Sequence, residues 1–271
     1  MTASRLPWHR LTAELDLWQD RGQTASFWWR DDDAVTVTPA LEHLLALQAE
    51  QEAPLLLAVI PRDASPTLAA RLRGLVGVCA AQHGFGHVNH ALQHEKKSEF
   101  PAARAPEACR NDLGEGRRRL AALGLEPAPV LVPPWNRFAA DLLPALPRLG
   151  YQAISAYKPR ESYWAAPDLV QLNTHLDPVD WHGSGPGHGP ADCFETCLRL
   201  LEAQRLGQQP PQPIGLLSHH LRHDAAEWDF LAGILSHTGR HPAARWLDWS
   251  GALAIGRPDQ SIAPRPVTPR S

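Results

Sequence analysis

Seven short apolar runs punctuate the chain: SFWW at 26–29, LLLAVIP at 55–61, VGVCAAQ at 76–82, PVLVPPW at 129–135, QAIS at 152–155, LVQLNTH at 169–175 and IGLLSHH at 214–220. Runs of this length without polar alternation read as strands buried on both faces. Helical patterns fill most of the intervals. Trp8, Leu11, Leu15 and Trp18 fall on one face of a first helix that Gly22 stops. Thr38-Pro39 and Ser65-Pro66 supply the cap-then-proline order that opens two more, the former with Leu41, Leu44 and Leu45 on its apolar face. Further helices are expected over 106–123, 139–149 and 191–206, and around Trp228, Leu231 and Leu235, with Gly124 and Gly150 as stops for the first two. The fifth and sixth strands are joined by a loop too short for a crossover helix.

Strands alternating with helices predict an α/β fold with a parallel sheet, here a distorted (β/α)7 TIM-like barrel, with an open doubly wound sheet as the competing architecture. The placement of polar residues favours the barrel. Arg30 to Asp33 follow the first strand, His83 and His87 the third, Pro133 to Arg137 the fourth, His175 to Trp181 the sixth and His219 the seventh. In a barrel those strand ends share one face, so distant residues can line one pocket. The expected organisation is an N-terminal capping helix (1–25), one barrel domain (26–256) and a loose proline-rich tail (257–271).

Composition narrows the function classes. A chain of 271 residues, 44% hydrophobic and 20% charged, can bury one sizeable core. A formal charge of −3 offers no basic face for phosphate backbones, which argues against a nucleic-acid partner. No apolar run approaches the ~20 residues of a membrane span and the N-terminus lacks a signal-peptide pattern, so no membrane partner and a cytoplasmic location are expected. Four cysteines are too few for a disulfide framework, and Cys193 and Cys197, spaced i, i+4, read as packing residues. Oligomeric state leaves no trace in the sequence.

The chemistry concentrates in QHGFGHVNH, residues 82–90. His83 and His87, spaced H-x-x-x-H with Gly84 and Gly86 between, can aim two imidazoles at one point. With a carboxylate they would form a three-ligand set for Zn2+ or a similar divalent ion. Alone, the motif is more often one of surface or capping histidines, since short motifs recur by chance, and it gains weight from the shared barrel face. Arg30 is the natural counter-ion for Asp31, Asp32 and Asp33, which would be costly together after a buried strand. Trp135 and Trp181 offer apolar walls or a sugar-stacking surface. His175 and His182 flank the segment between them in reach of a substrate, and GSGPGHGP at 183–190 has the make-up of a lid loop.

Five motifs in order then carry a resemblance: Asp32-Asp33, His83-Gly-Phe-Gly-His87, Pro133-Pro134-Trp135, Asp177-Pro-Val-Asp180-Trp181 and Leu217-Ser-His219. Over residues 26 to 250 the chain resembles the polysaccharide deacetylase superfamily, the NodB homology domain of carbohydrate esterase family four. The resemblance implies that Asp33, His83 and His87 hold a divalent metal, Zn2+ in the first instance. Asp32 would be the catalytic base and His219 the catalytic acid. Pro134, Trp135, Asn136, Arg137, Asp177, Asp180 and Trp181 would contact the substrate, and Arg30 would orient the base. Two departures leave alternatives open. R-D-D-D-A stands where the family has T-F-D-D-G, so the working pair is Asp32-Asp33 or Asp31-Asp32, and His220 competes with His219 as the acid. Val132 stands where the family's base-orienting arginine begins the proline loop, a charge that Arg30 or Arg137 could supply. The implied activity is metal-dependent hydrolysis of a C–N amide, N-deacetylation of an acetylated sugar or related small molecule. The alternative is a non-catalytic carbohydrate-binding or regulatory protein on the same barrel.

Overall fold

A computed structural model describes residues 6–181 and 189–258. All but the last two residues of the lid expected at 183–190, with His182 and His188, and the tail beyond 258 lie outside the described residues. In chain order the elements are α1 (Trp8–Asp20), β1 (Ala25–Ala34), α2 (Pro39–Gln51), β2 (Leu55–Val59), α3 (Pro66–Leu72), β3 (Val78–His83), α4 (Pro106–Ala122) and β4 (Ala128–Val132). There follow β5 (Ala153–Ile154), β6 (Trp164–Ala166), β7 (Leu169–Gln171), α5 (Pro190–Arg205), β8 (Ile214–Ser218), α6 (Ala225–Gly239), β9 (Ala244–Leu247) and α7 (Trp249–Ala254). The helix starts are written in their caps. Thr38 accepts from the Leu41 amide, Ser65 from the Leu68 amide, and Asp224 forms a reciprocal capping box with Glu227.

The strands run in the order β6-β7-β5-β4-β3-β2-β1-β8, all parallel except the β6–β7 hairpin, and β9 adds to the first half of β1. The chain beyond β7 then curls across to β8. Leu176 bridges Leu216, the amides of His175 and Leu176 donate to Gly215 O at 2.7 and 3.0 Å, and Leu217 N donates to Leu176 O at 2.7 Å. These bonds close β1-β2-β3-β4-β5-β7-β8 into the expected barrel rather than an open sheet. Gly215 makes the seam possible: a Cβ there would lie 2.5 Å from the Trp28 ring nitrogen and 2.6 Å from Asn173 O. His175 staples the same seam, its Nδ1 accepting from Gly215 N at 2.9 Å and its Nε2 donating to Gln212 Oε1 at 3.1 Å.

Alternation along the strands sorts two layers. Trp28, Leu56, Ala58, Ala81, Val130, Val132 and Ala153 fill the barrel. Phe27, Trp29, Leu55, Leu57 and Val59 pack outward with α1, α2, α3, α5 and α6.

Several expectations are corrected. The helix expected over 139–149 is instead a pair of 3-10 segments, Ala140–Ala145 and Pro147–Leu149, because Pro144 and Pro147 remove amide donors that an α-helix needs. β6, β9 and α7, of three, four and six residues, were not expected, being too short to show a period of their own, whereas β7 falls in the strand expected at 169–175. Most consequential, β1 does not stop at residue 29 but runs through Ala34, so Arg30, Asp31 and Asp32 are buried strand residues. Among the described residues no helix is long and apolar enough to cross a membrane.

Candidate metal centre

The end of β1 sets the centre. Arg30 and Asp32 point into the barrel, while Trp29 and Asp31 point outward, as period-two alternation requires. Asp33 breaks the alternation: its φ is 73°, and the register against β2 shifts between Asp31 and Ala34. That left-handed residue turns a second, adjacent carboxylate toward the same cavity. Asp33 Oδ1 lies 3.1 Å from His83 Nε2 and 3.4 Å from His87 Nε2, and the ligand atoms of the three all fall within 4.8 Å of one another.

The donor set fits a metal. His83 Nδ1 sits 3.0 Å from Val132 O, and since a carbonyl only accepts, the proton is on Nδ1. In the neutral ring the Nε2 lone pair therefore faces a carboxylate oxygen, an arrangement that needs a cation between them, either a proton or a metal ion. Burial pushes Asp33 up, but the His83 hydrogen bond and charge, with the His219 and His87 charges, hold it well below the usual carboxylate range. Burial and the charge of His83 press His87 below its ordinary value. For His83 burial acts in the same direction, but the Asp32 and Asp33 charges override it and the ring is raised. Metal binding has to displace only that proton.

The loop carrying His87 is organised by a residue the motif reading missed. Glu99 is buried and accepts from the amides of Phe85 at 3.0 Å, Gly86 at 2.8 Å and Val88 at 3.5 Å. At Gly84, where φ is 56°, a Cβ would approach Glu99 Oε2 to 2.0 Å, so the glycine is required by the carboxylate beneath it. Nothing in the sequence around Glu99 marks it, since its role depends wholly on where the loop folds back.

Arg30, fully buried, clamps Asp32 through two bonds, Nε to Oδ1 at 2.8 Å and Nη2 to Oδ2 at 2.9 Å. It is held in turn by Ser155 O at 3.0 Å, Ser155 Oγ at 2.6 Å and Asn136 Oδ1 at 2.8 Å. Arg137 does not bond Asp32; it donates to Lys97 O at 2.9 Å. Across the cavity His219 Nε2 lies 3.9 Å from Asp32 Oδ2, and its Nδ1 lies 3.8 Å from Asp177 Oδ1. Trp181 donates to Asp177 Oδ2 at 2.9 Å and sets its ring edge-on to His219. Burial raises the Asp177 carboxyl despite the His219 charge.

Of the alternatives left open, the cavity takes Asp32, Asp33 and His219. Asp31 and His220 pair with each other behind it. His220 Nδ1 is 2.5 Å from Asp31 Oδ1, and Asp31 Oδ2 accepts from His220 N at 3.0 Å and Ser218 Oγ at 2.6 Å. The cavity, about 890 Å3, is also lined by Trp135, Asn136, Arg137, Asp177 and Trp181. Three expected site residues do not line it. Arg30 stands behind Asp32; Pro134 is buried under the histidine loop, its ring occupying the space a Cβ on Gly84 would need; Asp180 is exposed, turned out by the turn in which Asp177 Oδ1 accepts from Val179 N. His175 lines the wall with both ring nitrogens already engaged in the seam. Tyr157, Lys96, Lys158, Asp192, Cys193 and Thr196 join the lining without having been foreseen.

No family model matches the sequence, and no curated protein does. Solved structures do. A Mycobacterium smegmatis protein assigned as a polysaccharide deacetylase superposes with a TM-score of 0.61 at 19% identity, covering 86% of this chain and 81% of that one. A family 4 acetyl xylan esterase from Clostridium thermocellum, in complex with a cobalt ion, gives 0.50 at 12% identity over 83% of this chain and 89% of its own. A family 4 pseudoenzyme gives 0.53 at 12% identity over 84% and 67%. Likenesses at these identities show architecture alone: the chain shares the fold of these solved polysaccharide deacetylase and family 4 carbohydrate esterase structures.

Proposed function

We propose that the chain is a metal-dependent hydrolase of a C–N amide, an N-deacetylase of an acetylated sugar or related small molecule. One observation carries the reading: a three-donor metal group stands beside an arginine-clamped carboxylate, with a histidine facing that carboxylate across the cavity. A divalent ion held by Asp33, His83 and His87, Zn2+ in the first instance, would polarise the amide carbonyl and acidify water. Asp32, fixed by Arg30, accepts the proton of the attacking water. His219, with Asp177 3.8 Å from its Nδ1, donates a proton to the departing amine. Trp135 and Trp181 border the sugar site.

The second reading, a non-catalytic carbohydrate binder, draws on the likeness to a family 4 pseudoenzyme. Metal content and acetate release from N-acetylated sugars, measured together, separate the two. We expect stoichiometric metal that is lost in the His83→Ala, His87→Ala double variant, and acetate release that Asp32→Asn lowers by ~10² while keeping the metal. Metal and sugar binding without release of acetate would establish the binder instead.

A further inference from the structure

The cavity has two unlike walls. The loops that follow β3, β4 and β5 are neighbours in the ring, and they carry Lys96, Arg137 and Lys158 to its lining. Asp177, Trp181 and His219, from the seam and the end of β8, occupy the opposite arc. The acidic groups beyond the metal centre are already engaged: Asp177 accepts from Trp181 and Val179, and Asp192, also in the lining, is not without a partner.

The cations are not. Among the described residues neither lysine makes a side-chain hydrogen bond or ion pair, and the one side-chain bond of Arg137 goes to a carbonyl. Elsewhere the chain pairs its basic residues, as in Arg62–Asp63, Arg71–Glu42, Arg104–Asp112 and Arg205–Glu14. Residues 182–188, which border the cavity in sequence, contain no acid that could neutralise them.

Composition makes the placement more pointed. The chain has only three lysines, Lys96, Lys97 and Lys158, among 26 basic residues, and two of the three line this one cavity. An ammonium is a compact point charge that receives phosphate or carboxylate from many directions, and the guanidinium beside it adds a directed fork. Three like charges around one concave mouth repel each other, and an anion seated among them relieves that repulsion. Asp32 is already paired with Arg30, and Asp33 would be paired with a metal, so the three cations on this wall face whatever enters.

We propose that the ligand of this cavity carries an anionic group, a carboxylate or a phosphate, seated against Lys96, Arg137 and Lys158 while its acylated nitrogen reaches Asp32 and His219. The acyl end of this placement rests on the hydrolase reading; the anion site stands on the cations alone.

The test is calorimetric binding at low and high salt of three probes: N-acetylglucosamine, its 6-phosphate, and the corresponding 6-carboxylate, N-acetylglucosaminuronate. Each is titrated into the metal-loaded wild type and the Lys96→Gln, Lys158→Gln double variant, with acetate release followed in parallel. Both lysines are exposed, so the variant retains the fold. At least one anionic probe is expected to bind about ten-fold tighter than the neutral sugar at low salt, with the preference fading at high salt and falling by about as much in the double variant. Preference for the phosphate or for the carboxylate identifies which anion the site takes. Neutral sugar bound as well as both anionic probes, no binding by either anionic probe, or a preference undiminished in the double variant each overturns the proposal. Anion-selective binding without acetate release sinks the hydrolase reading and leaves the anion site standing; equal affinity with acetate released does the reverse.

Discussion

Arg30→Met tests the part of the site most peculiar to this chain. The guanidinium is fully buried and makes its bonds to Asp32, Ser155 and Asn136, while Asp32 is only 2% exposed. Removing one partner of a buried pair leaves the other charge uncompensated in low dielectric, at a cost of about 3–5 kcal/mol. For a domain of this size each kcal/mol moves Tm by roughly 2–4 °C, so a fall of about 6–20 °C is expected. Asp32→Asn strands the arginine instead. It loses two charge-assisted hydrogen bonds and should also cost a few kcal/mol, in the range of ~1.5–3 per such bond. The double variant Arg30→Met, Asp32→Asn leaves neither partner of this pair as an uncompensated charge, so its loss must be smaller than the sum of the two by ~1–3 kcal/mol. Urea unfolding of the metal-free proteins measures all three without a contribution from bound ion. A loss below about 1 kcal/mol in Arg30→Met, or strict additivity in the cycle, would refute the account of Arg30 as the counter-ion that holds Asp32 in place.

Three further outcomes follow from the same geometry. Glu99→Ala frees the three amides of the histidine loop and should weaken metal affinity 10- to 100-fold in a chelator competition; unchanged affinity would show that the loop holds itself. His220 is pulled down by burial but raised further by the Asp31 charge and hydrogen bond, so its folded-state value lies above the ordinary 6.5. Its stabilising share is therefore complete below that value and declines as pH rises through the folded-state one. The stability gap between wild type and His220→Gln should shrink toward alkaline pH, and a gap that widens would contradict the ion pair. His219→Ala should keep its metal, lose amide hydrolysis and spare activated esters, whose leaving groups need no proton; equal loss on both would remove His219 from the acid role.

Much of the architecture was legible in the order of residues. Continuous apolar runs marked the barrel strands because a strand covered on both faces has no use for alternation, and cap-then-proline pairs at Thr38 and Ser65 marked helix starts because their hydrogen bonds are local. The motif residues at strand ends were legible for the same reason: a parallel barrel sends every strand's C-terminal end to one face, so order along the chain is enough to gather Asp33, His83, His87 and His219. What the sequence left open turned on direction. Only the left-handed backbone at Asp33 decided that two consecutive carboxylates share the cavity, and only the alternation of β1 assigned Asp31 to His220 behind the site and Asp32 to Arg30 within it. The service of Glu99 to the histidine loop, and the seam that Gly215 and His175 close, join residues 11 to 40 positions apart through contacts that exist only once the ring is complete. Such long-range bonds leave no local signal, because neither partner's neighbours in sequence change the energy of the contact; the fold alone brings them within reach.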